Sequence, residues 1–463
     1  MVFSSIEFLL WFLPVFFILY ALTPNKLKNV TLLSGSMIFY ALGEPEWLLF
    51  LMISVLVNFY IGQLVARPRQ KGRKKTRKLK RQEEKCKRLL VAAIIGNVGI
   101  LALYKFIPGL GGLPLGISFY TFQVLSYLID VYRGNQRKEM SFLCFATYIV
   151  MFPQLMSGPI VTYGEVRREL DRREFTLAGL QEGLKVFTAG LALKVLLADR
   201  IGILWNEVQI TGFESISTPL AWMGAVAFSL NIYFDFYGYS LMAVGLGQML
   251  GFELPRNFDE PYMACSVRDF YRRWHITLGR WFCRYVYIPL GGSRQGELRT
   301  VFNLFAVWLL TAVWHGGTVN FLAWGMFIFL LIVLERQAEN IGISRVFEKG
   351  ILRVVPHLYL WVVIPVTWMC FAITDISQLQ VYLGRMFGAV EGIYVNAMDW
   401  RKAFETYWYL FGIGFAVCMP GTKRLFRKWK DSLPGILVLA VLFWLCVWRL
   451  QVEGMNPFRY FDF

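Results

Sequence analysis

VFNLFAVWLLTAVWHGGTVNFLAWGMFIFLLIVL, residues Val301–Leu334, contains no Asp, Glu, Lys or Arg. An uncharged apolar run of this length reads as helix that crosses a membrane. It is interrupted once, at His315-Gly316-Gly317. Each half would give roughly 25 Å of helix, slightly short of a full span. The break thus sits beside an imidazole, at a depth where an ionisable group is costly unless it is partnered or used.

The rest of the chain has the same character. Its 463 residues are 56% hydrophobic, with a mean hydropathy of +0.48. That is too apolar for a soluble domain. The predicted fold class is all-α, a polytopic membrane protein of about eleven crossing helices plus re-entrant pieces. No internal repeat and no soluble stretch large enough to fold alone is evident, so one integral-membrane domain, 1–463, is the economical reading. Phe8–Leu22 has no basic stretch before it and no small-residue cleavage site after it, so a first span is expected there rather than a removed signal peptide. Between Phe142 and Ile160 the run is broken by Pro153, Gly158 and Pro159, which predicts a kinked or re-entrant pair of half-helices.

The formal net charge of +17 is concentrated. Residues 67–88 hold thirteen Lys or Arg against Glu83 and Glu84. Such a loop stays in the cytoplasm, which orients the chain in a cell membrane, inner or cytoplasmic, with both termini outside. It needs no nucleic acid as partner; attraction to anionic lipid headgroups suffices. The seven cysteines show no CxxC spacing and the three histidines no HExxH pair, so neither a disulfide framework nor a metal site is expected.

A second polar cluster lies upstream, VRDFYRRWHITLGRWFCRYVYIPLGG, Val267–Gly292. It holds His275, which like His315 follows a tryptophan, and Arg268, Arg272, Arg273, Arg280 and Arg284. The two histidines read equally as satisfied structural residues or as functional ones. The loop-charge topology puts the arginines near the cytosolic face, where ordinary positive-inside anchoring would account for them. His357 has no motif around it. Asp235, inside an otherwise apolar stretch, reads as a buried structural acceptor or as part of a tunnel wall.

RRWHITLGRW, YIPLGGSR and the later WHG together resemble the signature of the membrane-bound O-acyltransferase (MBOAT) family, in its bacterial alginate O-acetyltransferase branch. PLGISFYTFQVLSYLIDVYRG from Pro114, FPQLMSGPIVTYGEV from Phe152, NIYFDFYGYSLMAVG from Asn231 and GFELPRNFDEPY from Gly251 agree with it, in order along nearly the whole chain. The family pattern commonly has an aspartate after the Tyr239-Ser240 pair; Leu241 stands there in this chain.

The resemblance implies an enzyme with a pinched membrane body, open to a donor from the cytosol and to an acceptor from outside. It assigns catalysis to His315; His275, among the arginines, is a second catalytic candidate that would assist transfer, orient a neighbour or line the donor path. Acyl transfer from a thioester to a hydroxyl needs a base near working pH and a site that keeps water from the donor. Acetyl-CoA or another acyl thioester would be a substrate, with no bound cofactor. Because coenzyme A and carrier-protein phosphopantetheine are phosphorylated, Arg272, Arg273 and Arg280 are candidate donor-binding residues. The acceptor would be an extracytoplasmic polysaccharide, reached with an exported partner enzyme. D-alanyl transfer toward teichoic acid is the alternative, and a transporter or channel the reading from another class. Trp314, Asp235 and Tyr460 are candidates for the tunnel or acceptor path. Tyr460 lies in the aromatic tail Asn456–Phe463, which reads either as an interfacial anchor or as a segment folding back into the outer opening.

Overall fold

The computed structural model describes residues 1–67, 77–107, 112–156, 158–348, 350–393 and 395–454. The aromatic tail with Tyr460, and residues 68–76 of the basic loop, lie outside the described residues. Helices dominate, and no strand occurs among the described residues, as the composition predicts. Six helices are long and apolar enough to cross a membrane: Pro45–Val65, Arg77–Phe106, Glu297–His315, Val319–Asn340, Val354–Ala372 and Leu433–Glu453. Glu7–Leu22 is a shorter apolar one. The chain is a multi-pass membrane protein.

The remaining crossings among the roughly eleven expected are helices too, but of another kind. Ile117–Arg133 is 17 residues long and is buried along nearly its whole length, so neighbours rather than lipid select its side chains. The basic loop also differs from its reading, because residues 77–88 form the first turns of the helix Arg77–Phe106. Lys, Arg, Glu and Gln are good helix formers, and propensity prevails there over the expectation of an irregular connection.

The chain divides into two compact units, Met1–Phe187 with Tyr239–Pro255 and Thr188–Gly238 with Arg256–Phe463. The first unit is built on an aromatic cluster. Phe152 packs edge-on against Phe16 at 5.2 Å, and Phe3 stacks on Tyr239 at 4.7 Å. The expected break lies here: Phe142–Val150 ends at Met151, and Phe152–Leu155 follows with Pro153 in its first turn. The backbone N–H of Phe152 donates to Ser36 Oγ at 3.1 Å, satisfying a donor freed by the break. Helices also touch main chain to main chain. A methyl on Gly183 would lie 2.4 Å from the Gly245 carbonyl oxygen, and one on Gly245 would lie 2.5 Å from that of Gly183.

In the second unit the same device recurs, a methyl on Gly238 falling 2.6 Å from the Gly190 carbonyl. That close approach brings Asp235 to a π-helical turn, Leu193–Ala198, that carries Lys194. Lys194 Nζ lies 2.8 Å from Asp235 and 2.6 Å from Asp199. The Lys194 and Asp235 side chains are 2% and 1% exposed, so this is a buried ion cluster. Asp235 is thus held on Lys194, and it is not among the residues lining the cavity described below.

Removing one member of a buried ion pair destabilises by about 3–5 kcal/mol. Lys194→Met leaves two carboxylates without their shared ammonium, whereas Asp235→Asn leaves Lys194 still on Asp199. The Lys194 substitution is expected to lower the thermal midpoint of the detergent-purified protein clearly more than Asp235→Asn. Equal midpoints would show that the ammonium does not organise the cluster.

Candidate active site

The long apolar run folds as a helical hairpin. Glu297–His315 and Val319–Asn340 pack along each other, and His315 is the last residue of the first helix. Both helices extend past the apolar run into polar ends, where Glu297 and Arg336 form a two-point ion pair at 2.6 and 2.9 Å. At 19 and 22 residues they reach roughly 28 and 33 Å, so neither is short of a span. The expectation of short halves counted only the uncharged residues.

The tip turns on the two glycines. A methyl on Gly316 would lie 2.6 Å from the Phe321 ring, and Gly317 has φ +66°, a left-handed backbone that glycine adopts without strain. The Phe321 ring therefore closes over the turn and stacks near His315, with centroids 6.2 Å apart. Trp324 and Phe371 meet the same imidazole edge-on at 5.2 and 5.1 Å. His315 is 5% exposed.

His275 reaches this place from the polar end of the hairpin. The Val267 and Arg268 N–H groups donate to the Glu335 carboxylate at 2.6 and 3.1 Å. From there the short helix Val267–Arg273 runs along the hairpin until Tyr271 packs on Trp308 at 4.8 Å and near Trp324 at 6.3 Å. Glu335 and Trp324 are roughly 16 Å apart along their helix. The segment thus carries its next residues well away from the charged end.

There the chain kinks. His275 has φ +44° and ψ +53°, in the left-handed region. Among the described residues only Glu260 shares a positive φ without being glycine. Asn257 holds the kink: its Oδ1 accepts from the Thr277 N–H at 3.2 Å and from Thr277 Oγ1 at 2.9 Å, and its carbonyl accepts from the Ile276 N–H at 2.9 Å. His275 Nδ1 lies 3.1 Å from the same Oδ1. Since the Thr277 N–H identifies that atom as the acceptor oxygen, Nδ1 must carry the proton and donate. The neutral ring then has its basic lone pair on Nε2. Burial pushes the imidazole down to about 3, so His275 is neutral throughout the working range.

The two histidines line one cavity of about 120 Å³, whose walls include Trp308, Trp324, Trp368 and Phe371. Trp314 lies beside both rings, with centroids 4.6 Å from His315 and 6.4 Å from His275. Residues 48–373, which contain every residue of this cavity, match the model of the membrane-bound O-acyltransferase family.

The chain belongs to that family.

Its relatives agree with the match. The protein is 34% identical to "Probable alginate O-acetylase AlgI" of Pseudomonas aeruginosa, aligned over the full length of both. It is 30% identical to "Peptidoglycan O-acetyltransferase" of Helicobacter pylori, over all of this chain and 98% of the relative. A more distant similarity, 26% over 49% of this chain and 60% of the relative, is to "Teichoic acid D-alanyltransferase" of Bacillus subtilis. The protein is an O-acyltransferase.

In this membrane-bound O-acyltransferase, several residues singled out in the sequence stand away from the cavity. Arg272 is exposed and Arg273 part-exposed; both pair with Asp269, at 2.5 and 2.9 Å, and Arg280 is exposed. None of the three lines the cavity. His357 also lies apart, with Nδ1 3.1 Å from the Ala264 carbonyl. Among the described residues no three His, Cys, Asp or Glu side chains gather as a metal site would require. Sequence reasoning did not reach Asn257, although it lies in the quoted GFELPRNFDEPY. The only signal there was an amide between Arg256 and Phe258 in a stretch otherwise rich in turn residues. The tryptophans of the wall were equally silent, because aromatic residues in a membrane protein are common as interfacial anchors.

The depressed imidazole of His275 links acidity to stability. The unfolded ring titrates near 6.5 and the folded one near 3, so between these values only the unfolded chain binds the proton. Stability is therefore unaffected by this group above about pH 6.5 and declines as pH falls below it. The thermal midpoint is expected to drop between pH 7 and pH 5, and less so in His275→Asn, which tolerates the left-handed backbone and has no proton to gain. Parallel pH dependences in the two proteins would place the acid sensitivity elsewhere.

Proposed function

We propose that the protein is an O-acetyltransferase that moves an acetyl group from a cytosolic thioester, acetyl-CoA or an acyl carrier protein, toward a hydroxyl of an extracytoplasmic polysaccharide, with an exported partner enzyme completing the transfer. The observation that carries the reading is the meeting of His275 and His315 in one aromatic-walled cavity. Its volume suits a small acyl group at the point of transfer and not a sugar chain. The full-length likeness to an alginate O-acetylase and a peptidoglycan O-acetyltransferase, against a half-length likeness to a D-alanyltransferase, favours acetyl over D-alanyl.

In this reading the whole chain, 1–463, acts as one domain in the cell membrane with both termini outside. His315 removes the acceptor hydroxyl proton as the oxygen attacks the thioester carbonyl. The tetrahedral intermediate then collapses, and the leaving thiolate takes the proton back from the imidazolium. His275, whose Nδ1 proton is held on the Asn257 carboxamide oxygen, takes the supporting role. Its Nε2 lone pair instead accepts a hydrogen bond and orients the hydroxyl. Trp308, Trp324, Trp368 and Phe371 keep water from the donor. Exposed Arg272 and Arg280, with Arg273, supply positive charge for donor phosphates. Trp314 and Tyr460 are assigned to the acceptor path.

His315→Ala should lose about 10² to 10⁴-fold in acetyl transfer from labelled thioester in proteoliposomes, with insertion and thermal midpoint retained. His275→Asn should lose less. A His315 variant with near wild-type turnover, or a larger loss at His275, would reverse or remove these roles. Cells expressing His315→Ala should also lack acetyl on their envelope polysaccharide; loss of D-alanine instead would replace the acetyl reading.

Changing Arg272 and Arg273 together to Gln should raise the apparent KM for the donor and leave kcat nearly unchanged. An unchanged KM would return both residues to membrane anchoring.

A further inference from the structure

A second cavity, about 220 Å³, lies in the same unit, apart from the histidines. Val226 and Leu230 line it from Thr218–Leu250, Trp361 and Pro365 from Val354–Ala372, and Phe415 from Asp399–Cys418. Trp361 is 41% and Phe415 47% exposed, so the cavity opens at the protein surface. That surface belongs to Val354–Ala372, a helix apolar enough to cross a membrane. The polar atoms near the cavity are already engaged. Tyr262 Oη donates to the Ser229 carbonyl at 2.7 Å, Ser229 Oγ to the Ala225 carbonyl at 2.7 Å, and Trp361 Nε1 to the Tyr262 carbonyl at 2.9 Å. A lining with its hydrogen bonds satisfied suits a hydrocarbon chain and holds water poorly.

The cavity ends at Met419, and the chain turns there into the short helix Pro420–Trp429. Leu425 and Trp429, one turn apart, are exposed on it. So are Arg424, Arg427 and Lys428. Lys423 and Lys430 have carboxylates nearby: Asp259 at 3.5 Å and Glu260 at 3.7 Å for the first, Asp431 at 3.3 Å for the second. Arg424, Arg427 and Lys428 have no carboxylate within 4.0 Å among the described residues. A short helix with exposed apolar and basic residues lies in the interfacial plane of a bilayer, with its cations at headgroup level. Arg424 is roughly 7 Å along the helix from Met419.

We propose that this cavity holds one acyl chain of an anionic phospholipid whose phosphate headgroup is bound by Arg424, Arg427 and Lys428. The lipid would brace the wall behind the transfer site. Tyr262, at the cavity, packs edge-on against Phe270 at 5.5 Å, and Phe270 stacks on Trp274, the neighbour of His275, at 5.5 Å.

The test uses the full-length protein in nanodiscs doped with phosphatidylglycerol that carries a diazirine near the end of one acyl chain, beside the matching phosphatidylcholine probe. Peptide mapping after irradiation should place phosphatidylglycerol labelling on the peptides around Leu230, Pro365 and Phe415, above that of phosphatidylcholine by at least about fivefold, the order expected for a single basic residue at a charged surface. Val226→Phe fills the cavity and should abolish the labelling; Leu230→Phe serves the same purpose if the first variant inserts poorly. The triple change of Arg424, Arg427 and Lys428 to Gln should bring the phosphatidylglycerol signal down to the phosphatidylcholine level. Equal labelling by both probes in the unaltered protein, or undiminished labelling in the filled variants, would overturn the proposal. So would displacement of the label by inorganic phosphate, which would make the basic helix a site for free phosphate instead.

Discussion

One carboxamide oxygen, Asn257 Oδ1, holds the geometry on which the two-histidine cavity depends. It accepts from the backbone and the hydroxyl of Thr277 and from Nδ1 of His275. In doing so it holds a non-glycine residue in a left-handed conformation that costs roughly 1–3 kcal/mol. Without that kink the helix Val267–Arg273 would continue past His275, and the imidazole would leave the cavity for a helical face. The same bond selects the tautomer. A strained backbone and a fixed proton are thus settled by one contact, which leaves the ring little freedom of position or chemistry.

The surroundings are as ordered as the ring itself. Trp308, Trp324, Trp368 and Phe371 meet one another edge-on or offset, and the hairpin tip brings His315 into their midst. Asn320 ties the start of the second hairpin helix to the carbonyls of Cys370 and Phe371, each at 3.4 Å. An aromatic box of this kind excludes water by shape, while its indole N–H groups remain as buried donors.

Part of this architecture is legible in the sequence itself. An uncharged run broken only by His-Gly-Gly places a break beside an imidazole, because glycines mark where the backbone can tighten; that the two halves fold back as full-length hairpin helices comes from the structure. The Pro153 break was visible for the same reason. The pairing of His275 with His315 was not legible from spacing, since it arises from Glu335 fixing the start of one short helix and Asn257 fixing its end, two contacts between residues far apart in sequence. The pairing of Asp235 with Lys194 is equally illegible in the sequence. Nothing in a linear reading says that a lysine some forty positions away lies on the facing turn. The helical state of residues 77–88 is hidden because the charge that sets topology comes from Lys, Arg, Glu and Gln, which are also good helix formers.

The glycine contacts at Gly183 with Gly245 and at Gly190 with Gly238 carry a consequence for how the protein assembles after insertion. In a bilayer no hydrophobic force drives helices together, and association rests on direct contact. Where backbones touch, no side chain can change rotamer to fit a shifted register. Such a contact is either complete or absent, which makes the pairing of these two helices an all-or-none event. It also makes it a natural checkpoint, since a chain that has not closed it has not yet brought Asp235 to Lys194.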